Sequence, residues 1–145
     1  MKKLGDYKKD YDALQNKANL SGKVALDAVK QNAFNLQYVK EQTPAICLAA
    51  VKQNGFALQY VINQTEEICL AAVKNDGYVL QYAREQTEEI CLAAVKEDGF
   101  ALQYVKEQTE EICLVALNQN SKVLEYVNED LFYRNHKKLI DGLRE

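Results

Sequence analysis

Every 22 residues this chain repeats itself, and that interval decides its architecture. Cys47, Cys69, Cys91 and Cys113 stand 22, 22 and 22 residues apart. Leu26, Leu48, Leu70, Leu92 and Leu114 keep the same interval, as do Ala28, Ala50, Ala72, Ala94 and Ala116. So do Tyr38, Tyr60, Tyr82, Tyr104 and Tyr126. A fixed short period means stacked units, each too small to bury a core alone and each completed by its neighbours. Five units follow, at 21–42, 43–64, 65–86, 87–108 and 109–130. The same spacing excludes two cysteine chemistries. Zinc sites need close pairs such as C-x2-C. Equivalent atoms of neighbouring helices lie about 9–10 Å apart, beyond the roughly 7 Å Cα reach of a disulfide. The cysteines are therefore expected as small core hydrophobes with reduced thiols.

Each unit reads as a helix-turn-helix. Ser21, Thr43, Thr65, Thr87 and Thr109 open the units, and a Ser or Thr oxygen accepts the unpaired N–H groups of a helix start. Glu66-Glu67, Glu88-Glu89 and Glu110-Glu111 follow in the first turn, where the helix dipole favours anions. Pro44 takes that place in unit two, the one turn of a helix that accepts proline easily. Lys74 and its equivalents stand in the last turn. Gly55, Gly77 and Gly99 are expected to end the helix in the left-handed conformation. A second helix of about two turns then runs over Tyr78 to Glu85 and its equivalents.

The apolar patterns set the packing. At 100° per residue, Ile68, Cys69, Ala72 and Val73 form one broad face of the first helix, with Leu70 and Ala71 extending it. Val79, Leu80 and Ala83 point inward from the second, and Gln81, Arg84 and Glu85 outward. The expected fold is all-α: a short α-solenoid of five repeats, a rod roughly 45–50 Å long at helix spacings of about 9–10 Å. The end units deviate as caps do: Ala25 for Cys and Ala33 for Gly in unit one, Ser121 for Gly, Lys122 for the aromatic and Glu125 for Gln in unit five. Leu4, Tyr7, Tyr11, Leu14 and Ala18 predict an N-terminal capping helix within 1–20. Phe132, His136, Leu139, Ile140 and Leu143 predict a C-terminal one within 131–145. All three segments form one structural domain.

The run Leu48-Ala49-Ala50-Val51-Lys52-Gln53-Asn54-Gly55-Phe56-Ala57-Leu58-Gln59-Tyr60, read as L-x-A-V-K-x-x-G-x-x-L-Q-Y, resembles a bacterial and viral family of short tandem helical repeats. That family is catalogued only as a domain of unknown function. The resemblance covers about 21–130 and implies a helical array. It brings no catalytic or ligand residues.

Two rows of side chains are candidate binding surfaces. The first is an aromatic and amide stripe: Gln37, Tyr38, Gln59, Tyr60, Tyr78, Gln81, Tyr82, Gln103 and Tyr104. On an α-helix, positions 78, 81, 82 and 85 share a face, and tyrosines suit protein contact by joining a large apolar ring to a polar tip. Packing of these rings between units is the competing expectation. The second row is acidic: Glu66, Glu67, Glu88, Glu89, Glu110 and Glu111. It would meet a basic partner, or else only complement the helix dipoles. Residues 21–130 hold 9 Lys and Arg against 16 Asp and Glu, a net of −7, while residues 1–20 and 131–145 each carry +2. An acidic array with basic ends steers toward basic protein surfaces or toward another copy of itself.

Other functions lack their signatures. His136 is the only histidine, with no nucleophile pattern near it, and there is no Gly-rich phosphate loop and no G-x-S-x-G. General acid–base work needs a unique, desolvated pair of carboxylates, which a repeating array does not offer. No enzyme, cofactor or metal is expected. A net charge of −3 argues against direct nucleic-acid binding, and the longest apolar runs are far too short to span a membrane. The first ten residues lack the apolar stretch of a secretion signal, so a cytoplasmic location is expected. The reading is a non-catalytic protein-binding repeat module, a scaffold or adaptor. The alternatives are a phage or mobile-element inhibitor of a basic host enzyme, such as a defence nuclease, and a self-assembling structural protein.

Overall fold

A computed structural model describes residues 22–131 together with 5, 6, 8 and 9. Ten helical elements alternate along 22–131, and among the described residues there is no strand. Five are α-helices: α1 (Gly22–Gln31), α2 (Pro44–Gln53), α3 (Glu66–Asn75), α4 (Glu88–Glu97) and α5 (Glu110–Gln119). Each is followed by a six-residue 3-10 helix: η1 (Ala33–Tyr38), η2 (Gly55–Tyr60), η3 (Gly77–Tyr82), η4 (Gly99–Tyr104) and η5 (Ser121–Tyr126). The α-helices pack side by side in chain order, and each 3-10 helix wedges between its own α-helix and the next. The chain is an all-α solenoid with a 22-residue period. The terminal capping helices expected within 1–20 and 131–145 fall almost wholly outside the described residues, of which 5, 6, 8 and 9 are helical.

The helix starts follow the sequence. Thr43, Thr65, Thr87 and Thr109 each accept, through Oγ1, the N–H of the isoleucine three residues on, at 3.2–3.3 Å. Ser21 lies outside the described residues. Pro44 occupies the first turn of α2, and the Glu pairs open α3, α4 and α5.

The helix ends do not follow it. No glycine among the described residues has positive φ. Instead Asn54, Asp76, Asp98 and Asn120 end the α-helices in extended backbone, with φ between −144° and −157°. The same side chain then caps the 3-10 helix: Asp76 Oδ1 accepts the Tyr78 N–H at 2.9 Å. One Asx residue thus closes one helix and opens the next, so no left-handed residue is needed. The glycines answer a close approach. A Cβ on Gly55, Gly77 or Gly99 would stand 2.6, 2.6 or 2.8 Å from the carbonyl oxygen of Ala72, Ala94 or Ala116 in the following unit.

The second helix is also shorter and tighter than expected, ending at Tyr82 rather than Glu85. At three residues per turn, Gln81 eclipses Tyr78 while Tyr82 is rotated a third of a turn away. Residues 83–87 form an extended link to the next threonine.

The core is a repeating layer. Ile68, Cys69, Ala72 and Val73 are buried, with Val79 and Leu80 from η3 and Ala83 from the link. All four cysteines are free and buried, as expected of core hydrophobes.

Candidate functional site

The tyrosine stripe is half packing. Tyr38, Tyr60, Tyr82 and Tyr104 are half-buried. Each ring after the first meets the aromatic residue of the preceding unit edge to face: Phe34–Tyr60 at 6.1 Å, Phe56–Tyr82 at 6.0 Å, Tyr78–Tyr104 at 5.9 Å and Phe100–Tyr126 at 6.1 Å between centroids. Tyr38, which has no preceding unit, carries the Lys8 ammonium 5.4 Å from its ring centroid. The rings therefore join units, and such pairs contribute about 0.5–1.5 kcal/mol beyond their area. Gln37, Gln59, Gln81 and Gln103 are exposed, and each donates its amide to the carbonyl of the aromatic residue three before it, at 3.0–3.1 Å. The stripe exists, but its amides are turned onto their own 3-10 helices.

The acidic row lies at the other end of the layer, where the links meet the α-helix starts. Glu66, Glu67, Glu88, Glu89 and Glu111 are exposed, and Glu110 is half-buried. The first glutamate of a pair is engaged by the next unit: Thr87 Oγ1 donates to Glu66 Oε1 at 2.9 Å, and Thr109 Oγ1 to Glu88 Oε1 at 3.0 Å. Glu67 and Glu89 head the outer faces of α3 and α4.

A second glutamine, absent from the sequence-level candidates, ties the links together. Gln86 Nε2 donates to Leu80 O at 3.3 Å in its own unit and to Tyr104 O at 3.0 Å in the next. Its Oε1 accepts the Lys106 N–H at 2.9 Å and, more weakly, the Cys91 thiol at 3.6 Å. Gln42 and Gln64 repeat the set, and Gln108 keeps the bonds to the following link. The side-chain amide acts as a short piece of strand, pairing one extended link with the next. Its signal was the period itself: a glutamine precedes the threonine of units two to five.

Two adjoining clefts open on this link edge. The larger, about 340 Å³, is lined by Ile62, Thr65, Glu66, Arg84, Glu85 and Thr87 among others. The smaller, about 150 Å³, is lined by Lys40, Pro44, Ile62, Asn63 and Thr65 among others. Ile62 stands in both walls and is 65% exposed. The Arg84 guanidinium donates to the carbonyls of Val61 at 3.0 Å and Ile62 at 2.6 Å, which fixes the floor between them.

Ile62 is conspicuous against the repeat. The other links carry Lys40-Glu41, Arg84-Glu85, Lys106-Glu107 and Asn128-Glu129 where unit two carries Ile62-Asn63. Unit two also replaces the Glu pair by Pro44-Ala45. All four departures fall on one edge, and all four residues are exposed. Repeat reading found the periodic residues and passed over this patch, whose only signal is a break in the period.

The chemistry here is recognition chemistry. Among the described residues no cluster of His, Cys, Asp and Glu is arranged to hold a metal ion, and no helix is long and apolar enough to cross a membrane. The cysteines are held as neutral thiols by burial, Cys91 being pushed up to about 11, with Glu88 adding to the rise and Lys106 opposing it.

Four overlapping windows of the chain, 23–64, 44–87, 65–108 and 87–132, match the family model described as a domain of unknown function, DUF4116. No curated protein and no solved structure matches.

Proposed function

The chain belongs to the DUF4116 family, and from that premise we propose that it is a non-catalytic protein-binding module whose link edge receives its partner. One observation carries this reading. Unit two abandons the charged consensus at Pro44, Ala45, Ile62 and Asn63, and these positions share an edge beside two clefts. Packing between units does not demand the change, since the other units hold the same fold with charged residues there. A solvent-facing isoleucine in a charged surround is the composition of an interface anchor with a polar rim. Glu66, Glu67 and Glu85 border it, so the complementary surface presents an apolar side chain ringed by basic groups.

The test compares the wild type with Ile62→Lys plus Asn63→Glu, which restores the consensus of the neighbouring links. The fold should be untouched, because units one and four already carry Lys-Glu at these positions. A protein captured stoichiometrically by the wild type from its native host should bind the double variant about 30-fold more weakly, the scale of one interface hot spot. Equal binding by both, or no partner at all, sinks the proposal.

A further inference from the structure

The outer face of the α-helices carries three parallel bands that the link edge does not explain. On α3, Glu67, Leu70, Ala71 and Lys74 are spaced i, i+3, i+4 and i+7, so they share one face. It is the face opposite the buried Ile68, Cys69, Ala72 and Val73. Glu67 and Lys74 are exposed, and Leu70 and Ala71 are half-buried. Stacking repeats this set into rows: Glu67, Glu89 and Glu111 at the helix starts, and Lys30, Lys52, Lys74 and Lys96 at the helix ends. Between them runs an apolar band of Leu and Ala, which on α5 becomes Leu114 at 51% exposure.

We propose that two copies of this chain pair through this face, related by a twofold axis through unit three. A twofold contact places each surface against itself. Here it turns the helices antiparallel, so the acidic row of one copy meets the basic row of the other, and the apolar bands meet between them. The register is set by the end units. With unit three on unit three, Glu67 meets Lys74 of the second copy, Glu89 meets its Lys52 and Glu111 meets its Lys30. Unit one has Lys23 where the acidic row would continue, and unit five has Asn118 where the basic row would. In this register those two face each other, and no like charges meet along the two rows. Shifting the axis to lie between units two and three sets Lys23 against Lys96 instead, a repulsive contact that disfavours that pairing.

The size is sufficient. A ten-residue helix is about 15 Å long, and five at about 9–10 Å spacing give a face on the order of 700 Å² per copy. That is close to the roughly 800 Å² per partner of a standard interface.

The test is mass in solution for the full chain over a concentration series, at low and high salt. The expected result is a shift from 16.5 kDa to twice that mass, weakened by salt. Two triple variants are then made: Lys52→Glu, Lys74→Glu and Lys96→Glu in one, and Glu67→Lys, Glu89→Lys and Glu111→Lys in the other. Each alone should stay a monomer with wild-type helicity, and a 1:1 mixture should recover the dimer. Charge reversal at helix ends opposes the dipole, so a variant that fails to fold is replaced by a cross-link. Carbodiimide treatment of mixed light and heavy isotope-labelled wild type should join Glu67 of one copy to Lys74 of the other. A wild type still monomeric at about 1 mM, a concentration that populates even a weak specific dimer, overturns the proposal. So does a dimer that survives both reversals, or one whose cross-links lie elsewhere. Neither set of variants touches Ile62 or Asn63, so loss of the dimer and loss of the partner are read separately.

Discussion

Units three and five begin with the same six residues, Thr-Glu-Glu-Ile-Cys-Leu, and end in different surroundings. Unit three has neighbours on both sides. Unit five has one on its N-terminal side and ends the array. Their α-helices are alike: ten residues, a threonine cap, a buried isoleucine and cysteine. What diverges is what a following unit would touch. Gly77 becomes Ser121, free of the carbonyl that crowds the interior glycines. The link glutamine Gln86 becomes Asp130, which has no amide N–H to give. Leu80 is fully buried, whereas its equivalent Leu124 is 65% exposed. The comparison separates residues that build a unit from residues that join units, a division no single repeat reveals.

The leucines give the largest effect. Leu80→Ala empties a site enclosed by two units and should cost about 2–5 kcal/mol of unfolding free energy. Leu124→Ala removes atoms already in water and should cost less than about 0.5 kcal/mol. Urea unfolding monitored by circular dichroism measures both. Comparable losses would mean that the end of the array is enclosed like its interior, and the distinction would fail.

The link glutamine sharpens the same contrast. Gln86→Ala removes the donor to two carbonyls and the acceptor of the Lys106 N–H, leaving half-buried backbone groups without partners. At about 1–3 kcal/mol for an orphaned buried polar group, a loss of about 2 kcal/mol is expected from the same unfolding curves. Asp130→Ala at the end of the array should stay within about 0.5 kcal/mol. An equal response at both positions would show that the amide serves its own unit and does not bridge two.

How much of this was legible in the sequence follows from the same division. Periodic apolar residues, threonine caps and glutamate pairs act within one helix, and the 3.6-residue pattern exposes them. The buried cysteines were legible too, because a 22-residue spacing leaves them little else to be. The helix ends were not. Glycine after a helix usually signals a left-handed cap, but Asp76 with extended backbone does that work, and Gly77 is needed for the approach of Ala94 in another unit. The 3-10 helices were missed for a related reason: the spacing of Val79, Leu80 and Ala83 fits an α-turn equally well, and only the wedge between two α-helices selects the tighter form. The Tyr82 ring looked like a surface and is half a joint, because its partner Phe56 lies 26 positions earlier. Residues acting across a unit boundary leave a signal only in the stack.

The smallest effect concerns the thiols, which lie inside this stack. A free thiol ionises near pH 9, and burial lifts Cys91 to about 11 in the folded chain. Below pH 9 both states keep the proton and the group contributes nothing to pH dependence. Between about 9 and 11 the unfolded chain releases the proton while the folded chain retains it, so stability falls as pH rises. Cys47, Cys69 and Cys113 are raised in the same direction by the same burial. Tyrosines and lysines titrate in the same window, so the decisive measurement is a difference. The melting temperature of the wild type should exceed that of Cys91→Ala at pH 8, and the gap should narrow by a few degrees as pH climbs to about 10.5. A gap independent of pH would mean that Cys91 is reached by water often enough to ionise in place. The link that Gln86 closes over it would then be open much of the time, and the interior of the array would behave like its end.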